Sequence, residues 1–285
     1  MRHIYPLPLL CRAFCVSASG YHDWRIRPLW IQRDDNARMT AIVKAAHIKT
    51  RCVYGAVRLH RELLAEGHDI SLWKVKKIRK REGIVLTRKR KHMTTTDSDH
   101  TYAVSENILD RQSKRDAPCT AWPSDITYIH TKEGFLYLAG IKDLFTKEIV
   151  GYCMKDSMDT GLVLTALERA WQCHRPGKGL ILWSDRGSQY CSHRYQEKLN
   201  GYGMICSMSR KGECHDNAPM ESFWSLLKNE IVHGRIFSTK RQAIAIISEY
   251  INIFYNRQRR QAGLGYLSPA AFACAYWRKN AAIAA

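Results

Sequence analysis

Short apolar runs and helical patterns alternate through the second half of the chain. β-Branched and aromatic residues are concentrated in residues 124–130, 135–143 and 148–154, and short polar turns separate these runs. This pattern predicts three successive antiparallel strands. Residues 160–173 carry apolar side chains at helical spacing, and the almost wholly apolar run 180–183 that follows them predicts a buried, central strand.

Two further helices and a fifth strand are predicted beyond this run. Residues 188–200 have a helical pattern, residues 204–207 are strand-like, and a last helix begins near Glu221. The apolar stripe of this last helix consists of Met220, Phe223, Trp224, Leu227 and Ile231. Glu221, Ser225 and Lys228 are spaced i, i+4 and i+7, so they share the neighbouring face of the helix.

The amino-terminal third is predicted to be helical from residue 42 to Gly83. The segment RCVYGAVRLHRELLAEG places four apolar residues roughly on one face and is followed by a stop signal at Gly67. The four residues are Val57, Leu59, Leu63 and Leu64. Ser71 is suited to cap the next helix, which ends at Gly83.

This second helix has an apolar face and a basic face. Its apolar residues are Leu72, Val75 and Ile78. The basic face consists of Lys74, Lys76, Lys77, Arg79, Lys80 and Arg81. Two short helices joined by a tight turn fit a helix-turn-helix that sets one helix against DNA, and they fit equally a plain helical hairpin with a solvated face.

The segments around these regions are predicted more simply. A short helix is expected at residues 7–14, and residues 87–120 are polar and charged, which is typical of a linker. Residues 241–272 predict a helix with a basic tail. The residues expected to pack this helix on the core are Ala243, Ile244, Ile247, Tyr250, Ile251 and Phe254. Arg257, Arg259 and Arg260 are expected to meet solvent or DNA, and Pro269 to close the segment.

An excess of cations indicates a polyanionic partner. The 285 residues include 45 Lys and Arg against 26 Asp and Glu, which gives a net charge of +19. Each contact of Lys or Arg with a phosphate adds salt-dependent affinity, so nucleic acid is the first choice of partner and a membrane surface the second. No apolar run is long enough for a membrane-spanning helix. The ten cysteines form no CxxC pair, which argues against a zinc site and indicates a reducing cytosol.

Three acids stand in segments whose composition does not need a charge. Asp125 interrupts the strand-like AWPSDITYIH, Asp185 follows the apolar LILWS, and Glu221 lies in NAPMESFWSLLKNEI. Each acid alone has the ordinary interpretation of a turn or cap residue. If folding brings the three together, they repel one another unless cations neutralise them, and a purely carboxylate set points to Mg²⁺ or Mn²⁺. Two such ions are a standard device for attack on a phosphodiester.

The sequence motifs around these acids resemble those of a known family. WPSDITYI, KDLFTKEIVGY, SDRGSQY and DNAPMESFWSLLKNE, in this order, resemble the integrase-like catalytic core of bacterial insertion-sequence transposases, specifically the second-reading-frame product of the IS-three family. The resemblance implies an α/β fold: an RNase-H-like five-stranded mixed sheet with helices, whose first and fourth strands are neighbours. It also implies a small all-α helix-turn-helix domain in front of the core.

The resemblance implies a division of the chain and a set of roles. The expected parts are a short helical element at 1–40, a helix-turn-helix domain at 41–92, a linker at 93–118, a catalytic core at 119–232 and a helical extension at 233–285. Asp125, Asp185 and Glu221 would be the catalytic and metal-binding residues, with two Mg²⁺ or Mn²⁺ ions. The expected DNA-contacting residues are Lys228, Asn217, Arg186, Lys74, Lys76, Lys77, Lys80 and Arg81. Trp183 departs from the pattern, since the family usually has His there.

The implied reaction is cleavage of the element's ends followed by joining of the free 3′ ends to another DNA strand. The implied setting is the bacterial cytoplasm, at the nucleoid, as a homo-oligomer on DNA, either alone or fused to or paired with an upstream-frame product. Two other classes stay open: a DNA-binding repressor without catalysis, and a simple metal-dependent nuclease of the RNase-H-like fold.

Overall fold

The chain folds into two compact units, Met1–Val85 and Leu86–Ala285. The computed structural model describes residues 5–26, 29–86, 115–209 and 217–284, and it leaves out the side chains of residues 29–34 and 283–284. Most of the predicted linker at 93–118 lies outside the described residues.

Five helices are present in the described part of the first unit. They are α1 (Leu7–Ala13), α2 (Ala18–Ile26), α3 (Leu29–Lys49), α4 (Ala56–Ala65) and α5 (Leu72–Arg81). The short helix at the start of the chain was predicted. α2 was not, because Ser17, Ser19 and Gly20 are weak helix formers. The Ser17 hydroxyl nevertheless accepts a hydrogen bond from the backbone N–H of Gly20 at 3.0 Å, which helps the helix to begin.

α4 and α5 form the predicted pair of helices, and residues 66–71 connect them. The Ser71 hydroxyl caps α5 by accepting a hydrogen bond from the backbone N–H of Lys74 at 3.2 Å, as predicted. Leu59 and Leu63 are buried, and Val75 and Ile78 face them from α5. The prediction was wrong for Val57 and Leu64, which are exposed. Glu62 is buried beside Leu63 instead, and its carboxylate lies 3.5 Å from the Lys49 ammonium group.

The second unit is built on a five-stranded mixed sheet. The strands are β1 (Ala121–Thr131), β2 (Gly134–Lys142), β3 (Ile149–Lys155), β4 (Ile181–Ser184) and β5 (Ile205–Met208). Their order is β3-β2-β1-β4-β5, with β1–β2 and β2–β3 antiparallel and β1–β4 and β4–β5 parallel. The predicted fold is confirmed, including the neighbouring first and fourth strands.

Helices cover the sheet. α6 (Thr160–His174), α7 (Ser188–Cys191) and α8 (His193–Gly201) enclose the main apolar core with Trp122, Leu182 and Met208 of the strands. Asp159 caps α6 by accepting a hydrogen bond from the Leu162 backbone N–H at 2.8 Å. α9 (Ala218–Leu227) contacts β1 and β2. Residues 188–200 were predicted as one helix, but the backbone of Ser192 is extended and divides it into α7 and α8.

The carboxyl-terminal extension is anchored to the edge strand β3. α9 continues into a π-helical turn, Lys228–Val232, and α10 (Lys240–Glu249) continues into a π-helical segment, Tyr250–Gln258. The Asn256 side chain donates to the Ile149 carbonyl and accepts from the Ile149 backbone N–H, both at 3.0 Å, as a further strand would. Asn256 therefore satisfies backbone groups that an open edge would leave unpaired.

Three details of this extension contradict the sequence-based predictions. Arg259 is buried against Glu230 rather than facing solvent or DNA. Pro269 begins the 16-residue helix α11 (Pro269–Ala284) instead of closing the segment, because Pro is well tolerated in the first turn of a helix. Ile244 is partly exposed, whereas the other five predicted core residues of this segment are buried. Among the described helices, none combines the length and apolar character that crossing a membrane requires.

Candidate active site

Asp125 and Asp185 lie at equivalent positions on the two neighbouring parallel strands. Pro123 of β1 pairs with Trp183 of β4, and each aspartate stands two residues further along its strand or just beyond its end. Because side chains alternate between the faces of a strand, Asp125 is on the same face as Pro123, and Asp185 is on the same face as Trp183. The two acids therefore stand side by side, Asp125 within β1 and Asp185 just beyond the end of β4.

Asp125 is held by a tryptophan of α9. The indole N–H of Trp224 donates to the Asp125 carboxylate at 2.9 Å. Asp125 pairs across the sheet with Gly140 of β2, and the Trp224 ring lies directly over this glycine. A Cβ atom at Gly140 would come within 2.7 Å of the ring and 3.3 Å of the Met220 methyl group. The missing side chain at Gly140 thus allows α9 to approach the strand that carries the acid.

The surroundings of Asp125 are unfavourable for its charge. Burial of the carboxyl group, followed by repulsion from the Asp185 and Glu221 carboxylates, raises the pKa of Asp125 to about 7. The backbone N–H of Ile126 and the indole of Trp224 oppose this rise only in part. The same feature fits a cation site, since a bound divalent ion would supply the charge that the ionised form lacks.

Glu221 is in the first turn of α9 and is exposed, although it is near enough to Asp125 to affect its pKa. Within the described ranges, no three His, Cys, Asp or Glu side chains are close enough together to hold a metal ion. The three carboxylates suit Mg²⁺ or Mn²⁺. Glu213 and Asp216, two acids of the loop before α9, lie outside the described residues.

The loop after β4 is braced by its own residues. Asp185 accepts a hydrogen bond from the backbone N–H of Gly187 at 3.0 Å, and Arg186 donates to the Ser209 carbonyl at 2.7 Å. The Ser209 hydroxyl in turn donates to the Ser184 carbonyl at 3.1 Å. Arg186 therefore joins the ends of β4 and β5, and its predicted contact with DNA stays a prediction.

Tyr190 connects the two aspartate-bearing segments. Its hydroxyl group in α7 lies 3.0 Å from the hydroxyl of Ser124, the residue before Asp125. Burial, with the nearby Tyr195 and the two aspartates, raises the pKa of Tyr190 well above its usual value. Tyr190 is thus a neutral hydrogen-bonding group beneath the acids. Sequence reasoning did not single it out.

Two side chains fix the start of α9. Asn217, at the amino-terminal end of the helix, is buried, and its amide donates to the Ser124 carbonyl at 3.4 Å. Its side-chain oxygen has no hydrogen-bond partner in the part of the chain that the structure describes. Lys142 of β2 is buried, and its ammonium group donates to the Pro219 carbonyl at 3.2 Å. Burial and the nearby Arg259 lower the pKa of Lys142 to about 8.

Lys228 directly follows α9, as the first residue of the π-helical turn, and lies on the side of Asp125. Its ammonium group is 5.0 Å from the centre of the Tyr128 ring on β1. Burial lowers the pKa of Lys228, while Tyr128 and Asp125 act in the opposite direction. The cation is therefore held near Asp125, and a π-helical turn of this kind is frequent at functional sites.

Two other residues have plain structural roles. Asp143 accepts hydrogen bonds from the backbone of Cys119, Phe145 and Thr146 and from the Trp122 indole, so it braces a turn. Trp183, where the family usually has His, is buried against Ala121 and Leu144.

The cations of the predicted DNA-binding helix α5 fall into two groups: some bind acids or carbonyls of the protein, and the others are exposed. Lys74 pairs with Asp35 at 2.9 Å, and Arg81 pairs with Glu82 at 2.8 Å. Arg79 is half-buried and donates to the carbonyls of Tyr54 and Ile84. Lys76, Lys77 and Lys80 are exposed and share one face of the helix.

Gly140→Ala is expected to destabilise the catalytic unit by about 1–3 kcal/mol, because the new methyl group forces Trp224 and Met220 off the sheet. The free energy of unfolding in urea measures this. Gly177→Ala is the matched control, since no atom lies within 4 Å of its added Cβ. Equal stability of the two variants would show that α9 does not depend on this close approach.

The comparisons with known proteins agree with this arrangement. Family models described as "Integrase core domain" match residues 115–214 and 221–274, and one described as "HTH-like domain" matches residues 33–92. An insertion element IS600 uncharacterized 31 kDa protein of Shigella sonnei is 45% identical over 263 residues, 92% of this chain and 97% of that protein. The transposase InsF for insertion sequence IS3A of Escherichia coli K12 is 36% identical over 271 residues, 94% of each chain.

Among solved structures, the HTLV-2 integrase catalytic core domain in complex with magnesium is 17% identical, with a TM-score of 0.44 over 55% of this chain and 97% of that one. The sequence relatives extend over nearly the whole chain, and the matches to integrase core models include the segments that carry Asp125, Asp185 and Glu221. The chain therefore belongs to the IS3 (IS-three) family of insertion-sequence transposases, with an integrase-type core behind a helix-turn-helix-like domain.

Proposed function

We propose that the chain cuts the phosphodiester backbone at the ends of its insertion element and joins the free 3′ ends to a second DNA strand. In this proposal residues 119–232 are the catalytic core and residues 41–92 bind DNA. The observation that supports it most is the placement of Asp125 and Asp185 at equivalent positions on neighbouring strands, with Glu221 in electrostatic range.

Asp125, Asp185 and Glu221 would hold two Mg²⁺ or Mn²⁺ ions. Such ions, when bound, activate a water or a 3′-hydroxyl group and stabilise the leaving oxygen. Trp224 orients the Asp125 carboxylate, and Tyr190 ties β1 to the segment after Asp185. Lys228 places a cation near Asp125, where it would attract a DNA phosphate. No Ser or Tyr nucleophile is needed, because water and the DNA 3′-hydroxyl group are the attacking groups.

The test is incubation of the purified full-length chain with labelled duplexes of the element's ends and Mg²⁺. Joined strands support the proposal. Nicks without joining would favour a simple nuclease, and binding without either product would favour a repressor. Glu221→Gln should remove both products, whereas Glu197→Gln, a change at an exposed acid of α8, should leave both.

For the DNA-binding part, changing Lys76 and Lys77 to Gln should weaken binding and flatten its salt dependence. Each lost phosphate contact lowers the slope of log affinity against log salt by about one. Fluorescence anisotropy at several salt concentrations measures this slope. The control is Lys178→Gln, an exposed lysine of the loop before β4. An unchanged slope in the double variant would remove α5 from the DNA interface.

The number of copies that act together follows from the proposed substrate. An element has two ends, so we propose that at least two copies act together on DNA, in the bacterial cytoplasm at the nucleoid. Fusion to or pairing with an upstream-frame product belongs to the same proposal. The mass of the complex with a paired-end duplex, measured by light scattering, tests the stoichiometry.

A further inference from the structure

α5 carries a large aromatic side chain that packs into no core. Trp73 is 66% exposed, in the first turn of the helix. The buried face of α5 is formed by Val75 and Ile78, and Trp73 lies away from it. Single exposed apolar residues are common on proteins and need no explanation by themselves. The neighbours of Trp73 are what make it unusual.

Trp73 belongs to a stripe of exposed cations. Residues 73, 76, 77 and 80 are spaced i, i+3, i+4 and i+7, so Trp73, Lys76, Lys77 and Lys80 share one face. The Lys77 ammonium group lies 4.8 Å from the centre of the Trp73 ring. The other cations of the helix are engaged within the protein: Lys74 and Arg81 pair with acids, and Arg79 donates to backbone carbonyls. The face that remains combines three exposed lysines with one indole.

This composition matches the chemistry of duplex DNA. Lysines neutralise phosphates regardless of sequence and so contribute affinity without specificity. Residues at the amino-terminal end of a recognition helix reach base edges in the major groove. There the thymine methyl group is the apolar feature that distinguishes one base pair from the others. An exposed indole at the start of such a helix is placed for that contact.

We propose that Trp73 is a specificity-determining residue of the DNA-binding unit, and that its ring contacts the methyl group of a thymine in the recognised duplex. This inference rests on the proposed function of α5 as the DNA-reading helix. It goes beyond it, because it separates the base-reading side chain from the lysines that hold the phosphates.

The experiment selects duplexes from a random 20-base-pair library with the full-length chain and with three variants. Trp73→Ala should lose the preference for thymine at one position of the selected sequence. Lys76→Ala should bind more weakly but select the same sequence. Trp277→Ala is the matched control, because Trp277 of α11 is also largely exposed, and it should behave as the unchanged protein does. Thermal melting should be the same for all four proteins.

A second measurement removes only the methyl group. Replacing that thymine by deoxyuridine should lower the affinity of the unchanged protein about fourfold, the factor expected for burial of one methyl group. Trp73→Ala should bind both duplexes equally. The proposal is overturned if Trp73→Ala keeps the same thymine preference and the same sensitivity to deoxyuridine, or if the unchanged protein selects no sequence. Asp125→Asn should select the unchanged sequence without joining strands, so failure of catalysis is separable from failure of this inference.

Discussion

Asp125→Asn is expected to reduce strand cleavage and joining about a thousandfold or more, and at the same time to stabilise the metal-free protein at alkaline pH. The loss follows if Asp125 holds a catalytic cation, whose charge stabilisation contributes several kcal/mol to the transition state. The gain follows because Asn is uncharged beside Asp185 and Glu221 and still offers an oxygen to the Trp224 indole. A merely structural acid would not combine these opposite effects.

The sign of the stability change depends on pH. The pKa of Asp125 is raised from 3.8 to about 7 in the folded protein, so the folded chain binds this proton more tightly than the unfolded chain. Ionisation of Asp125 therefore costs folding free energy, fully above about pH 7 and progressively less as the pH falls towards 4. At pH 8 the gain from Asn is at most about 4 kcal/mol, and at pH 5.5 it should be clearly smaller.

Denaturation in urea with EDTA at both pH values measures this difference. Mg²⁺ should raise the melting temperature of the unchanged protein by mass action and should have little effect on Asp125→Asn. Asp156→Asn, at an exposed acid that pairs with Lys240, is the matched control and should change neither activity nor pH dependence. Full activity of Asp125→Asn would exclude it from the catalytic set, and a loss of stability at pH 8 would contradict the electrostatic account.

The sequence patterns predicted the elements better than their contacts. The three antiparallel strands, α6 and the apolar stripe of α9 follow from local periodicity, and all five residues of that stripe are buried. The Ser71 cap is equally local. The pairing of β1 with β4 is not local, and it was expected only from the family resemblance. It is also what aligns Asp125 with Asp185.

The details around the acids depend on contacts distant in sequence. Trp224 was expected only as a core residue of α9, and nothing in its own segment indicates that its indole binds an acid 99 residues away. Gly140 looked like an ordinary strand residue, yet its missing side chain admits that indole. Ser192 divides a segment whose pattern is helical throughout. Local propensity gives no information about contacts such as that of Trp224 with Asp125.

Arg259 is the clearest example of a contact that its own segment does not predict, since three arginines at 257, 259 and 260 are typical of a solvated or DNA-binding tail. Its guanidinium group is instead buried and donates to both carboxylate oxygens of Glu230, at 3.1, 3.0 and 2.6 Å. The Tyr250 hydroxyl donates to the same carboxylate at 2.8 Å. The pair joins the π-helical segment after α10 to the π-helical turn after α9.

Arg259→Ala is therefore expected to lower the free energy of unfolding by about 3–5 kcal/mol, because it leaves the Glu230 carboxylate buried without its cation. Urea denaturation at neutral pH measures the loss. Arg257→Ala, at an exposed neighbour in the same segment, should change the free energy by no more than about 0.5 kcal/mol. If the two variants are equally stable, Glu230 does not depend on Arg259.

Removing both charges separates the cost of an unpaired ion from the worth of the pair. Glu230→Met combined with Arg259→Met should recover most of the stability lost in Arg259→Ala, since apolar side chains of similar volume often replace a buried ion pair at little cost. The double variant should also keep strand-joining activity if the ion pair only stabilises the carboxyl-terminal extension. Recovery of stability without recovery of joining would mean that the pair also sets the position of the turn carrying Lys228, two residues before Glu230, and through it the cation beside Asp125.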